Sequence, residues 1–190
     1  MSLLVPERVE ESLRAAFAGM AFERDTHGEV RDLTYVVPAE RIVEVCTFLR
    51  DDSDLRFAQL SWLGGVDRLP REPRFEVVYS LLSLEHNFRL HLKVRVGEEH
   101  PHVPTVCGVW PTANWHERET YDFYGIVFEG HPDLRRILLP EEWVGWPLRK
   151  DSPLGYEEVA FTHNTPGRRK PSPALRKLEP RRVKPRTHAN

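Results

Sequence analysis

RFEVVYSLLSLEHNFRLHLKVRV, from Arg74 to Val96, is the stretch whose reading decides the fold. In its second half Phe88, Leu90, Leu92, Val94 and Val96 alternate strictly with Arg89, His91, Lys93 and Arg95. A period of two places one set on a core face and the other on a basic outward face, the pattern of a strand with one side in water. The first half is rich in Val, Tyr, Phe and Leu, and only Glu85-His86-Asn87 separates the two runs. The stretch therefore predicts an antiparallel hairpin. His91 falls on the outward face, where a solvated side chain is expected.

Working outward, DLTYVVP (Asp32–Pro38) predicts a short strand closed by proline. RFAQLSWLGGVDRL (Arg56–Leu69) predicts a strand that runs into a turn at Gly64-Gly65. Pro6 opens a helix whose apolar residues Val9, Leu13, Ala16 and Phe17 recur at helical spacing, and Gly19 ends it. AERIVEVCTFLRD (Ala39–Asp51) predicts a second helix, with Ile42, Val43, Val45, Cys46 and Leu49 apolar and Cys46 in the core. The order α-β-α-β-β-β implies an α+β domain over residues 1–105: a small antiparallel or mixed sheet backed by two helices.

The 190 residues suffice for one domain with an appendage. With 40% hydrophobic and 29% charged residues the composition is that of an ordinary soluble protein, and no apolar run approaches the roughly 18 residues that span a bilayer. The N-terminus lacks the basic and apolar regions of a secretory signal. Cys46 and Cys107 are the only cysteines, and neither lies in a CxxC. A disulfide framework, a thiolate zinc site and a self-contained iron–sulfur cluster are disfavoured, and a reducing cytoplasm is expected. From Thr162 onward nine Lys or Arg face one acid, Glu179, so this tail carries +8 and the preceding residues −10, within a total of −2. Five prolines punctuate it. Residues 156–190 are expected to stay extended until a partner binds them.

Between hairpin and tail lies a segment, residues 106–155, without sustained periodicity. Asn114 and Glu117 have capping-box spacing for a short helix reaching Tyr124 and ended by Gly125. IVF (Ile126–Phe128) predicts a brief strand, LRRILLP (Leu134–Pro140) a short helix or extended run, and EEWVGWPLRKDSPLG (Glu141–Gly155) an irregular one. His116-Glu117 starts a zincin-like motif, but the second histidine would fall at position 120, which is Thr. His131 has no ligand partner at metal-site spacing and reads as a turn histidine. Glu117 and Glu119, two apart on a helix, point to different faces and cannot flank one bond as acid and base. G-x-S-x-G, P-loop and G-x-G-x-x-G motifs are absent. Cys107 has no activating base in sequence and reads as a structural thiol. The basic tail has no aromatic residue to stack on bases, and the acidic body opposes a polyanion, so nucleic-acid binding is disfavoured. Four of the five tryptophans (Trp110, Trp115, Trp143, Trp146) lie in this segment among arginines and tyrosines. That composition fits an interface with another protein and, equally, a second small core.

The string WHERETYDFYGIVFEGHPDLRRIL (Trp115–Leu138), continued by WVGWPLRKDSP (Trp143–Pro153), resembles the signature of the C subunit of respiratory complex I, the 30 kDa subunit of NADH:quinone oxidoreductase. The likeness extends over most of the chain up to about Gly155; Cys107-Gly108 departs from it, and the tail has little evident similarity. The resemblance implies a non-catalytic member of the peripheral arm, with no catalytic, cofactor or metal residues of its own. NAD, FMN, iron–sulfur clusters and quinone would belong to partner subunits. The partners implied are the large D subunit, which forms the quinone site, and the B subunit, with membrane contact through them on the cytoplasmic side. A related membrane-bound hydrogenase or ferredoxin-linked complex is the alternative assembly. The chain does not continue into a large-subunit sequence, which argues against a fused form.

The resemblance assigns the partner interface to the signature itself. Its helical part supplies Trp115, Glu117, Arg118, Glu119, Tyr121, Asp122, Tyr124 and Gly125. The turn and loop after it supply His131, Pro132, Arg135 and Arg136. The last part supplies Pro147, Leu148, Arg149, Lys150 and Asp151. The four arginines are expected either to meet partner carboxylates and carbonyls, or to brace the segment through Glu117, Glu119 and Asp122. The basic tail is expected to land on an acidic protein surface of the complex rather than on lipid head groups.

Overall fold

A computed structural model describes residues 6–20, 22–25 and 32–152. The helices are α1 (Pro6–Ala16), α2 (Ile42–Asp51, entered through a 3-10 turn at Ala39–Arg41) and α3 (Ala113–Tyr124). The strands are β1 (Glu23–Arg24), β2 (Leu33–Val36), β3 (Gln59–Asp67), β4 (Phe75–Ser83), β5 (Phe88–Val96), β6 (His102–Pro104) and β7 (Val127–Glu129). Five strands form one mixed sheet in the order β1-β2-β5-β4-β3, in which only β2–β5 is parallel. The expected hairpin is its centre: β4 and β5 pair without a slip from Phe75↔Val96 to Ser83↔Phe88. Asn87 turns the chain with φ +49°, a left-handed conformation that asparagine tolerates. β6 and β7 form a separate parallel pair.

The core holds Leu90, Leu92 and Val94 of β5 together with Tyr79 and Leu81 of β4, Leu13 of α1 and Ile42, Val45, Cys46 and Leu49 of α2. Edge-to-face contacts of Phe17 with Phe48 and of Phe22 with Tyr35 extend it under α1. The fold is thus the α+β arrangement that the periodicity implies, and residues up to Lys150 form one compact unit.

Two local expectations fail, each for a physical reason, and one strand is not foreseen. Gly64-Gly65 is no turn; both residues lie inside β3, paired with Val78 and Val77. They are glycine because neighbours come close: the Trp62 ring lies against Gly64, and a β carbon on Gly65 would sit 2.8 Å from the Tyr124 ring. The basic face of β5 is not simply solvated. Lys93 reaches the buried Asp25 at 2.9 Å and Glu76 at 3.4 Å, and His91 Nε2 lies 3.3 Å from an Asp32 oxygen. Charges that close are compensated by burying their partners beside them. Strand β1 is invisible to periodicity because two residues carry none. The tail expectations, from residue 156 on, lie outside the described residues.

Candidate functional site

α3 and the irregular chain after it hold the sequence-predicted residues. The helix does not start with the expected capping box. Thr112 occupies the N-cap without a side-chain bond, and Glu117 turns inward instead. Its carboxylate accepts hydrogen bonds from the Val106 N–H (2.8 Å) and the Thr105 hydroxyl (2.5 Å), and lies 3.4 Å from the Cys107 thiol. Burial raises the Glu117 carboxyl above the usual range, against the lowering effect of those three donors. Burial likewise pushes the Cys107 thiol up to about 11, so it is protonated at neutral pH. Glu119, two residues on, is only half-buried on another face, as the spacing predicts. Gly125 ends the helix at φ +71°, and its N–H closes on the Tyr121 carbonyl at 2.8 Å. The Trp146 indole packs directly on Gly125, where no β carbon would fit.

One turn after Glu117, Asp122 organises the loop. Oδ2 accepts three consecutive backbone N–H groups, those of Ile137 (3.1 Å), Leu138 (2.8 Å) and Leu139 (3.0 Å). Oδ1 accepts Arg136 Nη1 at 2.8 Å. Burial alone would raise this carboxyl; the loop N–H groups and Arg136 outweigh it and hold the acid below its usual range. Arg136 also donates to the Asp122 and Gly145 carbonyls and stacks over Trp146, 4.5 Å from the ring centre. Arg118 donates to the Arg135 and Arg136 carbonyls and faces the Trp115 ring.

The last part of the segment is tied to the sheet. Arg149 donates to the Tyr124 carbonyl at 2.7 Å, and its guanidinium lies 4.8 Å from the Phe75 ring and 5.8 Å from Trp146. Arg74 covers Phe75 as well, at 4.9 Å. Asp67, at the end of β3, accepts from Arg74 at 2.8 Å and from the backbone N–H groups of Leu69 and Lys150. Against the raising effect of burial, these donors hold the Asp67 carboxyl at about 2. Lys150 Nζ returns a bond to the Leu69 carbonyl.

Three of the four expected arginines therefore brace the segment within the chain: Arg136 through the Asp122 carboxylate, Arg118 and Arg149 through backbone carbonyls. Arg135 is exposed and pairs with neighbouring Asp133. His131 is half-buried, accepting the Asp133 N–H at Nδ1 and facing the Asn114 carbonyl with Nε2. Tyr121 meets Trp146 edge-on at 5.1 Å. Pro132, Lys150 and Asp151 are exposed, and Pro147 is half-buried. Asp67, Arg74 and Phe75 escaped the sequence reading as parts of this site. Their one signal is an Asp and an Arg at facing ends of adjacent strands, where they pair out of water.

The same bracing holds large apolar side chains in solvent. Trp115 is 63% exposed, Leu138 58%, Trp143 46%, Val144 94% and Leu148 49%. Among the described residues only Trp62, Val66 and Leu84 are comparable elsewhere. No helix among the described residues is long and apolar enough to cross a membrane.

Residues 35–158 match the family described as "Respiratory-chain NADH dehydrogenase, 30 Kd subunit". The chain is 56% identical over 160 residues to the NADH-quinone oxidoreductase C subunit of Roseiflexus sp. (strain RS-1), covering 84% of this chain and 88% of the relative. Its counterpart in Roseiflexus castenholzii is 62% identical over 133 residues, covering 70% and 76%. Among solved structures, the trypsin-resistant fragment (1-134) of Nqo5 aligns at a TM-score of 0.55 and 41% identity, over 67% of this chain and 98% of the fragment. A chain of the membrane-bound sulfane sulfur reductase, an archaeal respiratory membrane complex, aligns at 0.64 and 29% identity, over 78% and 85%.

Proposed function

The chain belongs to the 30 kDa family of respiratory-chain NADH dehydrogenase, whose members are the C subunits of NADH-quinone oxidoreductase, and on that premise we propose that it serves its complex by docking, without an active site of its own. In this reading it sits in the peripheral arm on the large D subunit, next to the B subunit, on the cytoplasmic side of the membrane. NAD, FMN, iron–sulfur clusters and quinone are held by the partners. The observation that carries the proposal is the pairing of internal bracing with exposed apolar tips. Asp122, Arg136, Arg149 and Asp67 spend their charges on holding residues 136–150 in one shape. Leu138, Trp143, Val144 and Leu148 are left outside on that rigid support. Apolar anchors fixed before contact lose little entropy on association, and tryptophan is enriched among the residues that dominate interface energies. Cys107 is a protonated thiol in the free chain, and so a poor nucleophile.

The likeness to a chain of an archaeal sulfur-reducing membrane complex favours a second reading, in which the same docking serves a related assembly with another electron donor. The higher identity to the quinone oxidoreductase relatives favours the first. The test uses Val144→Asp and Leu148→Asp, at side chains that are 94% and 49% exposed. Each variant should keep the melting temperature of the parent within a degree or two (surface changes cost within about 0.5 kcal/mol) and fail to co-purify with its large partner. Normal assembly of both variants would sink the docking role of this surface.

A further inference from the structure

We infer that Cys107, Glu117 and His131 form a site for one borderline-soft divalent cation of the zinc type. They come from three places: the loop after β6, helix α3 and the turn after β7. The fold brings one ligand atom from each within 4.8 Å of the others. No sequence spacing announces the trio, since the three residues meet only through the packing of α3 against the flanking loops. Cys107 and His131 are half-buried, which leaves an approach, while Glu117 is fully buried.

Two features separate this trio from a chance cluster. Among the described residues no lysine or arginine pairs with the buried Glu117 carboxyl, so a bound cation would meet no competing positive partner there. Its orientation is already fixed by the Thr105 hydroxyl and the Val106 N–H, as the outer partners of a metal ligand fix theirs. The Cys107 Sγ to Glu117 Oε2 separation is 3.4 Å. Ligands on a tetrahedral zinc, with bonds of about 2.3 Å to sulfur and 2.0 Å to oxygen, stand about 3.5 Å apart. His131 must turn its ring to release its bond to Asp133 or the longer one, 3.2 Å, to Asn114. One ordinary hydrogen bond is a small loss beside a metal–nitrogen bond. Thiolate with imidazole selects zinc or cobalt over magnesium or calcium. Three protein ligands leave the fourth position to water. On binding, the Cys107 thiol gives its proton to solvent as the sulfur–metal bond forms, so affinity rises with pH. No electron transfer is involved, and the site is independent of the docking proposal.

The full-length chain, stripped of metal by a chelator, is titrated with Co2+ and then with Zn2+. One Co2+ per chain should bind with a thiolate-to-cobalt charge-transfer band, Zn2+ should displace it, and Zn2+ should raise the melting temperature. Cys107→Ser should abolish the band and weaken zinc at least tenfold (roughly the scale of lost ligation); His131→Ala should weaken it comparably. Both changes are at half-buried positions, and circular dichroism checks that each variant is folded. Absence of the band at saturating Co2+, or unchanged zinc affinity in either variant, overturns the inference. In the latter case the ions sit elsewhere, for instance at the neighbouring His100 and His102.

Discussion

The sheet from Leu33 to Val96 and the segment from Leu134 to Lys150, which has no fully buried side chain, are stabilised in opposite ways. In the sheet, many apolar side chains share the burden, and the backbone satisfies itself strand to strand. In the segment, a few charged residues each satisfy several groups. Asp122 serves three N–H groups and an arginine, Asp67 joins the end of β3 to Lys150, and Arg149 lies near two aromatic rings while capping α3. A distributed core degrades gradually on substitution, whereas a segment hung on single anchors fails by the anchor. The second design needs no apolar interior of its own, so Trp143, Val144 and Leu148 stay outside.

The strongest test of that contrast is Asp122→Ala. It strands Arg136 and three loop N–H groups and should cost about 3–5 kcal/mol, the usual penalty for breaking a buried pair from one side. Hydrogen exchange should show protection lost in residues 136–148 while β4 and β5 keep theirs. Uniform loss across the sheet would break the comparison. Leu92→Ala should cost about 3 kcal/mol, by lost transfer energy and the cavity left behind. Its effect should spread over the whole cooperative unit, read by urea denaturation with parent and variant giving one transition each.

Acid sharpens the comparison further. Asp67 is nearly buried, with its folded value depressed to about 2 from an ordinary 3.8. A depressed acid contributes stability above its unfolded value, here about 2 kcal/mol, and loses it as pH falls from about 4 to 2. Asp122, also depressed, acts in the same direction. Glu117 is raised, so it opposes them, favouring the fold at low pH and costing stability as pH climbs above its unfolded value. Thermal melts of the parent and of Asp67→Asn between about pH 2 and 5 should converge toward the acid end. A constant gap would contradict the assignment of that window.

The difference between the regions also explains what could be read in advance. Alternation exposes β4 and β5, and helical spacing exposes α1 and α2, because repeated burial on one face leaves a repeated pattern. Gly64 and Gly65 look like a turn in sequence because a glycine that admits Trp62 or Tyr124 is written like one that bends the chain. The start of α3 misleads because Glu117 has capping-box spacing yet bonds to Val106 across the fold. The loop from Leu134 to Lys150 has no legible structure, since its shape follows from contacts with Asp122, Phe75 and Asp67, all distant in sequence. Its family is legible, because the same singular contacts demand a singular string of residues. That arginines here brace inward while apolar tips face out follows only from the structure.

Docking through those tips is most directly tested by hydroxyl-radical footprinting of Trp143 and Leu148, comparing the free full-length chain with the chain assembled into its complex. Both are exposed in the free chain and should label readily. Assembly should strongly protect Trp143 and Leu148, while Leu84, 63% exposed at the β4–β5 turn and at the opposite end of β4 from Phe75, is the control that keeps its labelling. Equal labelling of Trp143 and Leu148 in the free and assembled states would contradict it.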